Sequence, residues 1–140
     1  MAKAAVSPAW KKEPDKHDYP AAANYLGLIA DAAVVADIVA RLKKAPITTH
    51  QAKDLLRAAR LDLLPISDVH VAADLAKMIR GVKLSPVLLV RGGIESGIPL
   101  TIADGYHRVC ASYYTADDAD IPARIVDLPV GVLPAGGSKK

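Results

Sequence analysis

The sequence predicts an α/β (α+β) fold, a small sheet flanked by helices. Three observations predict it. Stretches with apolar residues at helical spacing make up much of the chain. Between and after them lie short apolar runs, Val87-Leu88-Leu89-Val90, Leu100-Thr101-Ile102-Ala103 and Ile121 to Val126, which read as strands. Apolar residues make up 51% of the 140 and charged residues 24%, enough for a buried core.

The elements follow in order. Residues 1–19 mix Lys, Pro, Asp and Glu without apolar periodicity and read as a flexible arm, with Trp10 its one adhesive side chain. Residues 20–63 read as a helical N-terminal segment packed on the core. Pro20 suits a first helical position. Tyr25, Ala32, Val35, Val39 and Leu42 recur at helical spacing, and Asp31 is placed to cap a second helix. Lys43 and Lys44 complement the helix dipole, and Pro46 stops the run. Thr48-Thr49-His50-Gln51 has capping-box spacing, so a helix is expected from about Thr49 to Arg60. Lys53, Arg57 and Arg60 give it a basic edge.

Residues 64–128 form the α/β unit. Ser67 or Asp68 caps a helix that runs to Arg80 and ends at Gly81. Val87 to Val90, continuous and apolar after Pro86, reads as a buried strand. Three glycines between Arg91 and Pro99 make a turn or hairpin loop. Leu100 to Ala103 is a strand that Asp104-Gly105 ends sharply, and Tyr106 to Tyr114 is a helix. Pro122 pushes the start of the last strand toward an edge. Residues 129–140 are rich in Pro and Gly and read as a flexible tail.

The formal net charge is +3, with much of the excess in Lys3, Lys11, Lys12, Lys16, Lys139 and Lys140. Charge near the ends reads as solubilising tails rather than as a nucleic-acid face. The single cysteine, Cys110, excludes an internal disulfide and fits a reducing cytoplasm. Cys110 reads as a small buried residue rather than a nucleophile. The first 19 residues hold no apolar leader core, and no apolar run approaches the ~20 residues that span a bilayer. A soluble, cytoplasmic protein with no membrane contact is expected. His17, His50 and His70 form no metal-ligand pattern, so no metal site is assigned.

The residues that carry chemistry are Asp104-Gly105-Tyr106-His107-Arg108. A strand ending at Gly105 and feeding a helix turns free backbone N–H groups outward, where the helix dipole adds about half a positive charge. Gly105 permits close backbone approach. Arg108 can fork onto two phosphate oxygens, and His107 can donate a hydrogen bond or a proton. Asp104 can hold magnesium with phosphate oxygens or act as a base toward a hydroxyl. It can equally cap the helix, and Arg108 can pair with it or with the 117–120 loop.

"KLSPVLLV", a glycine-rich loop, "PLTIADGYHRVCASY" and "IPARIV", in that order after a helix and Gly81, resemble the ParB/sulfiredoxin superfamily. The resemblance spans Leu64 to about Asp127. It implies a small mixed sheet with a nucleotide or phosphate pocket at the turn. Its expected binding residues are Gly105, Tyr106, His107, Arg108, Lys83 and Thr101, with Asp104 and His107 as the catalytic pair. Lys77 is a further candidate near the pocket. The implied cofactor is a nucleotide, ATP or CTP, with Mg2+. Tyr106 stands where sulfiredoxins carry their reactive cysteine, and Cys110 lies one helical turn on, which argues against cysteine repair. Partitioning ParB proteins carry Glu-Arg-Arg where this chain has Tyr106-His107-Arg108, and the missing carboxylate argues against their nucleotide hydrolysis, while a chain of 140 residues leaves no room for their downstream helix-turn-helix domain, which argues against their sequence-specific DNA reading.

The expected function is a nucleotide- or phosphate-binding ParB-like module, regulatory or associated with DNA or a partner. The alternative is a nucleotide-dependent phosphotransferase or NTPase acting on a small molecule. A third reading is a scaffold whose turn is only structural. Expected partners are a nucleotide or phosphorylated small molecule, weakly held DNA, and a second copy of the chain through the N-terminal helices.

Overall fold

The computed structural model describes residues 6–129. Among them, five helices and a four-stranded mixed sheet form an α+β fold. The order is α1 (Asp18–Leu26), α2 (Ala32–Lys44), β1 (Ile47–Gln51), α3 (Ala52–Ala59), α4 (Val69–Ile79), β2 (Val87–Arg91), β3 (Thr101–Asp104), α5 (Tyr106–Thr115) and β4 (Asp120–Asp127). Across the sheet the strands run β1-β4-β2-β3. β4 is antiparallel to β1 and parallel to β2, while β2 is antiparallel to β3, with a register shift between Leu88 and Leu89.

β2 shows why the sheet must be covered on both sides. Side chains alternate across a strand, so Val87 and Leu89 face one way and Leu88 and Val90 the other. Both sets are buried. Val87 and Leu89 join α3, α4 and α5 in one core through Leu55, Val71, Met78 and Val109. Leu88 and Val90 join α1 and α2 in another through Leu26, Val35, Ile38 and Leu42. Three layers result, helices on either face of the sheet. No helix among the described residues is long and apolar enough to cross a membrane.

Asp31 caps α2, its carboxylate accepting from the Val34 N–H at 3.0 Å, so the residues after Pro20 form two helices. Pro20 itself is the third helical residue rather than the first, because α1 begins at Asp18. Arg124 of β4 donates to the Leu42 and Lys43 carbonyls at the end of α2, which ties that helix to the sheet. Asp68 caps α4 through the His70 and Val71 N–H groups at 2.9 and 3.0 Å. Gly81 follows its end at φ +77°, a conformation that suits glycine.

Two expectations are overturned. The helix expected from Thr49 does not begin there. Ile47 to Gln51 pair with β4, and α3 starts only at Ala52. Thr48 Oγ1 meets His50 Nε2 at 2.9 Å instead of capping a helix. A β-branched segment on an exposed edge gains its structure from a partner strand distant in sequence, which local spacing does not report.

The arm is also not loose over residues 6–19. The Lys11 N–H donates to the Leu84 carbonyl at 2.8 Å, and the Leu84 N–H donates to the Ala9 carbonyl at 3.0 Å. Trp10 packs on the core of its own chain. Pro14 and Asp18 are buried. Residues 1–5 and all of the expected tail after Pro129 lie outside the described residues.

Pro122 stands opposite Thr49 of β1, and the ladder with β2 starts one residue later at Ala123. The missing N–H therefore falls outside the β2 ladder, although β4 is an inner strand.

Candidate functional site

β3 delivers the chain to Gly105, which precedes α5 with φ +116° and ψ 13°. A Cβ there would lie 2.4 Å from Val87 Cγ1 and 2.7 Å from Val87 Cβ. The turn crosses the start of β2 so closely that only a hydrogen fits. Glycine is thus required by packing as well as by φ.

No side chain caps α5. Its first intrahelical bond runs from the Val109 N–H to the Gly105 carbonyl at 3.0 Å. Among the described residues the N–H groups of Tyr106, His107 and Arg108 make no hydrogen bond. These are the orphan donors of a helix start, at the positive end of its dipole.

His107 lies at this helix start with its ring centroid 4.8 Å from that of His70, in the first turn of α4. Tyr106 is 5.7 Å from His107 on the other side. The starts of two helices therefore converge with two imidazoles between them. Nearby Asp68 has a pKa below the ordinary 3.8, chiefly because the Val71 N–H donates to its carboxylate, with His70 N–H and the two imidazoles adding to the effect. The Tyr106 hydroxyl donates to the Asp62 carbonyl at 2.6 Å, which fixes the ring as a wall.

Arg108 departs from the expected role. It bends back one helical turn to Asp104, at 3.1 Å, and the two side chains are only 15% and 20% exposed. Its Nε is buried without a partner among the described residues. One amino group of the guanidinium, Nη2, is thus held by a neighbouring carboxylate. The physical reason is the spacing, since residues four apart meet across a helix start and burial favours the internal pair.

Asp104 is corrected with it. It does not cap the helix, and its Oδ2 is engaged by Arg108 at 3.1 Å, so Mg2+ there would have to compete with the internal pair. Burial raises its pKa above 3.8, Arg108 pulls it down, and Asp18 raises it again. Asp18 is the first residue of α1, where it accepts from Ser85 Oγ at 2.6 Å and from the Asp15 N–H at 3.1 Å. Sequence reading did not single out Asp18 or Ser85, which lie 67 positions apart and carry no motif.

Other candidates scatter. Thr101 begins β3, three residues before Asp104 and so about 10 Å from the turn. Lys83 and Lys77 are exposed, and among the described residues no hydrogen bond or ion pair joins either to the turn. Cys110 is buried, and burial pushes its thiol up, which fits a packing role. His17 does have metal-ligand neighbours, contrary to expectation. It clusters with Asp15 and Asp18, their ligand atoms within 4.8 Å of one another. Asp18 is already engaged by Ser85.

Asp74 on α4 gives a pH prediction. Burial raises its pKa above 3.8, although Arg108, Lys77, His107 and His70 oppose the shift. A raised carboxyl value means the folded state holds the proton more tightly than the unfolded chain. Its contribution to stability is present below 3.8 and is lost as pH rises through the folded value. Asp74→Asn should therefore melt above the parent at neutral pH. The gap should close on titration below 3.8, measured by thermal unfolding across pH.

No protein-family profile, curated protein or solved structure matches the chain in comparison. The fold and the α5 turn therefore stand on their own geometry.

Proposed function

We propose that this chain is a phosphate- or nucleotide-binding module of ParB-like design, and that it binds without catalysis. The anion seat is the start of α5, with the free N–H groups of Tyr106 to Arg108 and the His107 and His70 rings as donors. The single observation that carries the reading is the uncapped start of α5 beside the paired imidazoles. The order of motifs from Lys83 to Val126 supports it by resemblance. Non-catalytic binding follows from Asp104, whose carboxylate is engaged by Arg108 at 3.1 Å. On this reading the protein works in the cytoplasm, in keeping with its single buried cysteine.

The internal Arg108–Asp104 pair favours a second reading, in which the turn is a structural joint and the chain a scaffold. Thermal unfolding with inorganic phosphate, ATP or CTP separates the two. A bound anion stabilises the folded state by linkage, by about 2.7 kcal/mol at a hundred times Kd, and so raises the melting temperature. The expected result is a rise with at least one of the three, reduced in His107→Ala. No rise at millimolar ligand would leave the scaffold reading. Phosphate release that disappears in Asp104→Asn would instead establish an enzyme.

A further inference from the structure

We infer that the cleft between α3 and the glycine-rich β2–β3 connection is a second binding site, for a small carboxylic acid with an apolar body. The cleft measures about 620 Å3, within the roughly 300–1,000 Å3 of small-molecule sites. Leu55, Leu89, Ile98 and Ile125 give it an apolar floor, and Arg57, Arg60 and Arg91 line it as well.

The charges select the ligand. Arg57 lies 3.7 Å from Asp54, and Arg91 is paired with Asp127. Among the described residues Arg60 has no carboxylate partner, only a long bond to the Gly97 carbonyl at 3.4 Å. One unmatched guanidinium calls for one negative charge, and its planar fork matches a carboxylate. A triphosphate would bring more charge than this cleft balances.

The backbone adds an independent observation. Arg60 is the one non-glycine residue at positive φ among the described residues, at +58° at the end of α3. Glycine is the residue such a helix end favours. Here a strained arginine instead reaches across to the glycine loop. That loop is a firm wall, because Gly92 packs so tightly that a Cβ would lie 2.1 Å from the Ile98 carbonyl oxygen. The cleft takes in Arg91 at the end of β2, whereas the α5 turn crosses its start at Val87.

The test uses the full chain and isothermal titration with benzoate, octanoate and 4-phenylbutyrate, and with 4-phenylbutyramide as the neutral control. At least one acid should bind saturably below about 1 mM, and the amide roughly tenfold or more weaker than its acid. Arg60→Gly removes the guanidinium while relieving the backbone, so it should bind about tenfold weaker and melt no lower than the parent. Arg60→Gln, which keeps a polar side chain but removes the charge, should also lose binding, and His107→Ala should keep it. Absence of saturation by all three acids up to about 10 mM overturns the proposal. So does an amide that binds as well as the acid, or unchanged binding in Arg60→Gly.

Discussion

Gly105→Ala is expected to cost roughly 3–4 kcal/mol, a fall of about 10 °C or more in melting temperature. Two effects add. At φ +116° a side chain is strained whatever the space around it. The new methyl would also sit 2.4 Å from Val87 Cγ1, and Val87 is fully buried between the helices and the sheet. Close packing leaves it nowhere to go. Gly81→Ala is the control. Gly81 also has positive φ, at +77°, but nothing lies within 4 Å of its Cβ position. It should lose only about 1 kcal/mol. Trimming Val87 to alanine beside Gly105→Ala should recover part of the loss as a coupling between the two sites. Denaturant unfolding of these three variants and of Val87→Ala alone reads all of this. Equal losses at Gly105 and Gly81 would mean that φ alone matters and that the turn does not press on β2.

The second large effect is expected at Arg108. Arg108→Ala leaves the Asp104 carboxylate largely buried, with Asp18 nearby and no cation in contact. Breaking a fully buried pair costs about 3–5 kcal/mol, and the 15–20% exposure of these side chains brings the expectation to roughly 2–3 kcal/mol. The loss should shrink on acidification, because protonating Asp104 removes the stranded charge. Asp104→Asn keeps an acceptor for the guanidinium and should cost less than Arg108→Ala. Unfolding at pH 7 and pH 4 in parallel with phosphate titration distinguishes the roles. A variant of Arg108 that is as stable as the parent but blind to phosphate would return the guanidinium to a ligand-binding role.

These two residues show where the sequence could be read and where it could not. The turn was legible because a strand, a glycine and a helix follow one another without a gap, and local order fixes where the free N–H groups lie. α2, α4 and α5 were legible for the same reason, as were the caps at Asp31 and Asp68. The direction of Arg108 was not, since it depends on burial and on Asp104 competing with any ligand. His70 beside His107 was not either, because two helices 37 residues apart in sequence had first to be packed side by side.

The sequence by itself determined the alternation of helix and strand, the double burial of Val87 to Val90, and glycine at residue 105. Each follows from the conformational preferences of neighbouring residues and from apolar spacing along one segment. Only the tertiary structure decided that Ile47 to Gln51 is a strand, that the arm pairs with the backbone of Leu84, and that Asp18 reaches Ser85. It also decided that Arg60 faces a cleft. Those outcomes rest on hydrogen bonds and burial between segments far apart in the chain, whose free energy no local window contains.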